Sequence, residues 1–345
     1  MTVAEKNRID FDPDRLRDFL ADRFGASDVF SLERISGGQS NPTYFLDYGD
    51  QRMVLRKQPN GPILKGAHAV DREFRVQSAL HPTGVPVARP ILFNEDPGVV
   101  GTPFYLMERV DGRVFTNCAL PDADPAERHA LWMGLADALA AMHAVKPDDV
   151  GLGDYGRPGN YFERQISRWS RQLEESSGDP IPELEHLGAW LRSNSPPEDG
   201  TVSLAHGDFR MGNVIFHAEK PEVVAILDWE LSTLGHPLAD LGFCAMPWHT
   251  SPDEYGGILG LDLRALGLPE EKDFVGRYME QSPGASPLLP FHKAFALFRF
   301  AVIWVGIYDR VRAGNAAGAD AGRYGPLARR LAVRGLEVIE GRHRV

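Results

Sequence analysis

Cysteine is scarce in this chain. Its 345 residues include two, Cys118 and Cys244, which lie far apart and form no CxxC pair. That excludes a disulfide framework and a cysteine-built zinc module, and leaves two small buried hydrophobes in a reducing compartment. An excess of positive charge is also lacking. Lys and Arg total 37 against 48 Asp and Glu, a formal net charge of -11. A nucleic-acid binder presents a basic face, so that class is disfavoured. Long apolar runs are missing too. The most apolar stretch, LLPFHKAFALFRFAVIWVGIY from Leu288 to Tyr308, is interrupted by His292, Lys293 and Arg299. Its uncharged part falls short of the roughly 20 residues a membrane helix needs, so it reads as a buried helix. The opening MTVAEKNRIDF has neither an apolar core nor a small-residue cleavage site. The expectation is a cytoplasmic protein with no signal peptide and no membrane span. What is present is ordinary globular composition, 43% hydrophobic and 25% charged. The length suffices for two cores.

Asp12-Pro13 reads as an N-cap followed by proline at the first helical position. It opens a helix through Leu16, Phe19 and Leu20 towards Gly25. Three strand-like runs follow, VFSLERIS, PTYFLDY and RMVLRK, the last two joined by GDQ, a hairpin-type turn. A helical segment, AHAVDREFRVQSAL, precedes two more strand candidates, ILFNE and PFYLME. The sum is a five-stranded antiparallel sheet with one inserted helix. The composition changes near VDGRV. From Asp124 to Val145, Leu131, Leu135, Leu139 and Met142 recur at helical spacing. Helices are also expected around Tyr161 to Glu175 and Leu184 to Leu191. Three strand-like runs then appear, TVSLAH, NVIFH and VVAILDW, and the remainder reads as helix. The fold class expected is α+β, a small β-rich segment over 1–108 and a larger, mainly helical one over 109–345.

The chemistry concentrates in HGDFRMGN, residues 206 to 213, and in AILDWE downstream. NVIFH, a polar stretch and VVAIL form a hairpin between them, which can bring Asp208, Asn213 and Asp228 to one mouth. Three oxygen-bearing side chains suit a hard cation such as Mg²⁺, and an acid left off the metal can take a proton from a hydroxyl. The competing reading is an Asx-rich turn with solvated acids; Asp228 at this spacing and the upstream β segment weigh against it.

His-x-Asp-x4-Asn, followed by an Asp at a strand end, is the catalytic-loop arrangement of protein kinases. Here His206-Gly207-Asp208 replaces HRD, and Asp228-Trp229-Glu230 replaces DFG. In this form LAHGDFRMGNVIF and AILDWELSTLGHPLADLGF resemble the aminoglycoside phosphotransferase and choline kinase-like family. The branch resembled is that of the N-terminal phosphotransferase modules of certain acyl-CoA dehydrogenases. The resemblance runs from about Ile35 to Arg310.

It implies a protein-kinase-like bilobal fold, with a nucleotide-binding lobe over 1–108 and a catalytic, acceptor-binding lobe over 109–345. It implies ATP- and Mg²⁺-dependent transfer of the γ-phosphoryl group to a hydroxyl of a small metabolite, with a hydroxyacyl-type acceptor favoured over an aminoglycoside. Neither nucleic acid nor membrane is an expected partner. Asp208 would be the catalytic carboxylate, and Asn213 and Asp228 would hold the metal. Glu230 is a weaker candidate for an outer contact, and His206 and Asp240 would brace the loop. Ser36, Gly37, Gly38, Gln39, Ser40 and Asn41, in the first hairpin, would cover the phosphates. Arg56 takes the place of the family's phosphate-gripping lysine, with Glu73 as its partner. Strand alternation sends Lys57 to the opposite face, and Lys57 takes the role if the register slips by one. Backbone groups of Glu108 and Val110 would meet adenine, with Met107 behind them. His143 reads as a core or cap histidine. Tyr161, Gln165 and Trp169 share a helix face that is either pocket wall or core. Arg310 and Arg312 either meet an anionic acceptor or are solvated. The alternative function is a catalytically silent kinase fold that binds nucleotide or a partner. It predicts loss of Asp208, Asn213 or Asp228, and all three are present.

Overall fold

The computed structural model describes residues 9–35, 41–61, 68–312 and 321–342. The chain folds as two compact units, Met1–Gly112 with Val224–Leu231, and Arg113–Val223 with Ser232–Val345. No single cut, such as one after residue 108, reproduces that division, because the segment 224–231 returns to the first unit.

In the first unit α1 (Pro13–Phe24) opens as expected, with Asp12 Oδ1 accepting the Asp14 N–H at 3.0 Å. The strands β1 (Phe30–Arg34), β2 (Thr43–Tyr48), β3 (Gln51–Lys57), β4 (Pro90–Asn94) and β5 (Phe104–Glu108) form one antiparallel sheet in the order β1-β2-β3-β5-β4. Helix α2 (Val70–Leu80) is inserted before β4, and a short α3 (Pro97–Val100) before β5. Alternation assigns the faces. Tyr44, Leu46, Met53, Leu55, Phe104 and Leu106 pack with Leu16 and Leu20 of α1. Arg56 and Tyr105 turn the other way, towards Glu73 of α2.

The second unit contains α4 (Pro125–Ala144), α5 (Tyr161–Glu174), α6 (Pro182–Ser193), β6 (Ser203–Ala205) and β7 (Val214–Phe216). The strand β8 (Val223–Ile226) carries the chain into the first unit. The second resumes with β9 (Thr233–Gly235), α7 (Pro237–Cys244), α8 (Leu263–Leu266), α9 (Glu271–Gln281), α10 (Pro290–Arg312) and α11 (Ala321–Ile339). Its main core joins α5, α6, α10 and α11 through Trp169, Leu187, Phe295, Phe298 and Leu331. The apolar run from Leu288 is therefore core helix. Among the described residues no helix is long and apolar enough to cross a membrane. Two short elements depart from expectation: α3 is a second helix inserted in the sheet where one was expected, and β9 is a strand where helix was expected. Thr233–Gly235, expected to begin the helical remainder, is a strand that pairs antiparallel with β6. Three residues are too few to show a period in the sequence.

Gly242 marks a close approach of α7 to α10, since a Cβ there would meet the His292 carbonyl oxygen at 2.7 Å and carbon at 2.9 Å. Helix propensity alone favours alanine over glycine by about 1 kcal/mol. The clash is with backbone and outweighs it. Gly242→Ala is expected to destabilise by about 1–3 kcal/mol, read as a lower urea midpoint with an unchanged slope.

Candidate active site

In the first unit the site begins with a buried ion pair. Arg56 Nε lies 2.8 Å from Glu73 Oε2, and Arg56 Nη2 donates to Asp228 Oδ1 at 2.8 Å. Glu73 is 1% exposed. Its carboxylate also accepts from Asn41 Nδ2 at 2.6 Å and from the Tyr105 hydroxyl at 3.1 Å. Burial pushes the Glu73 carboxyl up from its ordinary value, against the pull of Arg56. Burial would discharge Arg56 as well, but Glu73, Tyr105 and Asp228 more than offset it, and the guanidinium is held firmly charged. Lys57 is spent on the opposite face, where Nζ donates to Asp10 Oδ2 and Asn60 Oδ1, each at 3.1 Å. Asp228 sits at φ 64°, a left-handed conformation costly for a non-glycine residue and common at functional sites. Glu230 follows, exposed, in a 3₁₀ turn.

Met107 and Glu108 end β5, and Val110 is half-buried just beyond. The Glu108 N–H donates to the Arg89 carbonyl at 2.9 Å. Of the residues expected to cover phosphates, Asn41 is tied to Glu73 by its side chain. Ser36, Gly37, Gly38, Gln39 and Ser40 lie outside the described residues.

In the second unit the loop after β6 is fixed from below. Asp240, 1% exposed, accepts the His206 N–H at 2.6 Å and the Gly207 N–H at 2.9 Å. His143 Nε2 lies 3.3 Å from the same carboxylate, and its Nδ1 meets the Tyr278 hydroxyl at 2.8 Å. Burial pushes Asp240 up, but the hydrogen bond and charge of His143 outweigh it and hold the carboxyl below its ordinary value. Gly207 adopts φ 84°, and its carbonyl accepts from Arg299 Nη2. His206 Nδ1 accepts the Asp208 N–H at 3.2 Å. Asn213 Nδ2 donates to the Asp208 carbonyl at 2.9 Å and to Asp208 Oδ2 at 2.7 Å. With its amide nitrogen used inside the loop, Asn213 presents a carbonyl oxygen, a donor that Mg²⁺ accepts. Arg210 Nε stands 3.5 Å from Asp208 Oδ2. Burial pushes the Asp208 carboxyl up, against the charges of Arg210, His206 and Arg299.

A cavity adjoins Arg210, walled by Cys118, Trp132, Phe243, Cys244, Met246 and Tyr255, with no carboxylate among its described lining residues. Both cysteines face it, and burial raises both thiols above their ordinary value.

Sequence reasoning places His143 in a core or cap role and misses Arg299, Arg210 and Tyr278. The available signal for Arg299 is an arginine inside an otherwise apolar helix, which has to be paired when buried. His143 and Tyr278 carry no local signal, because their link to Asp240 spans distant segments. Tyr161 and Trp169 are buried in the α5 core. Arg310 is exposed on α10.

The family model described as phosphotransferase enzyme family matches residues 31–271. The chain belongs to that family. Its fold agrees with this. A solved structure from Ralstonia eutropha, described as a candidate aminoglycoside phosphotransferase, is 42% identical with a TM-score of 0.86, over 96% of this chain and 99% of that one. Spectinomycin phosphotransferase, solved with ADP and spectinomycin, shares the fold at a TM-score of 0.62 and 14% identity, over 95% and 98% of the two chains. Acyl-CoA dehydrogenase family member 11 of Gallus gallus is 41% identical over 316 residues, 90% of this chain and 40% of that protein. The Homo sapiens protein of that name is 37% identical over 316 residues, with the same shares. The chain thus spans about two fifths of the length of these curated relatives.

Two opposite pH dependences follow. The depressed Asp240 contributes stability that is present above the unfolded carboxylate value, about 3.9, and lost as pH falls through its lower folded value. Asp240→Ala leaves two buried N–H donors unmet, at about 1–3 kcal/mol each, and should lower Tm at pH 7. The raised Asp208 does the reverse, costing stability at neutral pH and ceasing to do so as pH falls through its raised value. Asp208→Asn should therefore raise Tm at pH 8 by roughly 2–4 °C, the shift about 1 kcal/mol makes in a unit of this size. The gain should shrink towards pH 4, as read by differential scanning fluorimetry.

Proposed function

We propose that this phosphotransferase is an ATP- and Mg²⁺-dependent small-molecule kinase of the cytoplasm. It moves the γ-phosphoryl group to an alcohol, with a hydroxyacyl-type compound as acceptor. The observation that carries the reading is the Asp208–Asn213 pair, at kinase spacing, on a loop anchored by Asp240. In this reading the acceptor hydroxyl lies against Asp208. A raised carboxyl value suits that residue to take the proton as the oxygen attacks. The bond formed joins the acceptor oxygen to the γ-phosphorus. The bond broken joins that phosphorus to the β,γ-bridging oxygen, whose electron pair leaves with ADP. Arg56, held charged, grips the α and β phosphates; Glu73 and Asp228 set its direction. Bound Mg²⁺, for which Asn213 and Asp228 would supply oxygen ligands, neutralises charge on the phosphates. Adenine at the end of β5 would find the Glu108 carbonyl and the Val110 N–H, since the Glu108 N–H is given to Arg89.

One observation favours a hydroxyacyl-type acceptor: the curated relatives carry this stretch in proteins named for acyl-CoA dehydrogenases.

The test is ADP release with Mg²⁺ and ATP across aminoglycosides, amino alcohols, sugars and hydroxyacyl compounds. Asp208→Asn should lower acceptor-dependent kcat by about 10²–10⁴-fold. Arg56→Lys should raise KM for ATP on the order of tenfold, because lysine cannot reproduce the fork between Glu73 and Asp228. Acceptor-dependent release that survives Asp208→Asn would overturn the assignment.

A further inference from the structure

We propose that a groove at the start of α5 binds a phosphate-bearing anion, at a site sharing no residue with the candidate active site. Residues 157 to 171 read RPGNYFERQISRWSR. Asn160, Arg164, Ser167 and Arg171 recur at helical spacing and line one face of α5, and Arg157 reaches the same groove from the preceding loop. The groove is open and measures about 530 Å³. Three guanidinium groups line it against one carboxylate, Glu163.

The chain is acidic, with a net charge of -11. Several of its arginines, Arg56, Arg113, Arg210 and Arg334 among them, stand beside carboxylates, while the buried Arg128 and Arg299 donate to backbone carbonyls instead. Among the described residues, none of Arg157, Arg164 and Arg171 has a carboxylate within ion-pair distance. Three guanidinium groups, two exposed and one half-buried, face a single carboxylate in this groove and leave an excess of positive charge that an anion would balance.

The groove is also preorganised. Arg164 Nη1 donates to the Pro158 carbonyl at 3.3 Å, and Nη2 to the Arg157 carbonyl at 2.5 Å. These bonds fix the fork with two of its five N–H donors and shape the loop that carries Arg157. The N-cap Asn160, at φ 46°, makes no side-chain bond to the first turn of α5. The positive end of a 14-residue helix therefore opens on the same groove. A planar guanidinium matches a phosphate through paired N–H bonds. From Asn160 to Arg171 the helix rises about 16 Å, room for more than one phosphate. The ligand class is a phosphomonoester or pyrophosphate group, from either a soluble phosphate ester or a phospholipid headgroup.

The test uses the full chain, its Arg157→Gln/Arg171→Gln double variant, and Arg56→Lys as a control for the first unit. Isothermal titration with inorganic pyrophosphate probes the soluble source. Co-sedimentation with phosphatidylcholine vesicles, with and without phosphatidic acid, probes the lipid source. Pyrophosphate binding should weaken about tenfold or more in the double variant, fall with added NaCl, and persist in Arg56→Lys. Binding only to phosphatidic-acid vesicles, lost in the double variant, supports the site and assigns it to lipid. No binding in either arm, binding untouched by the double substitution, or binding lost equally in Arg56→Lys would overturn the proposal. Circular dichroism of both variants separates loss of the site from loss of the fold.

Discussion

A carboxylate buried as deeply as Asp240 would cost several kcal/mol if left alone. It is tolerable because the His206 and Gly207 N–H groups, His143 and the first turn of α7 all direct positive potential at it. The dependence also runs outward. Those two N–H groups belong to the residues immediately before Asp208, so satisfying Asp240 fixes where the loop leaves β6. The left-handed Gly207 then turns the chain, Arg299 holds its carbonyl, and Asn213 closes the loop onto Asp208. The candidate base is positioned by a residue far along the chain that it does not touch.

The first unit applies similar economy to opposite charge. Arg56 and Glu73 are buried together, and each is satisfied by more than the other. Glu73 has Asn41 and Tyr105, and Arg56 has Asp228. A buried ion pair stabilises little by itself, since desolvation consumes much of the attraction. What it fixes is direction. The strand register places Arg56 on the α2 face and commits Lys57 to Asp10 on the other. The positive φ of Asp228 is strain held in place by the same cluster.

Much of this is legible in the residues. The five strands, the inserted helix and the caps follow from period-2 and period-3.6 patterns that local sequence carries in full. The pairing of Arg56 with Glu73 is what the family resemblance implies; alternation by itself only sends Arg56 and Lys57 to opposite faces. The braces behind the loop are not. His143 looks like any histidine on an apolar helix, and Arg299 like an interruption in one. Their partners lie 97 and 92 positions away. The three-residue β9 escapes for a different reason, having too few residues to show a period.

The sequence by itself determined the family, the fold class and the identity of the acids, because those depend on residue type and short spacing. Tertiary structure alone decided which buried groups answer one another. The partners of Asp240, expected only as a brace, are two backbone N–H groups and His143, which converge on it from distant segments. Segment 224–231 belongs with the first unit because it packs against α2 there. Arg157, Arg164 and Arg171 form one groove because a loop and a helix face meet. Each is a matter of proximity between segments, which a linear order of residues does not encode locally.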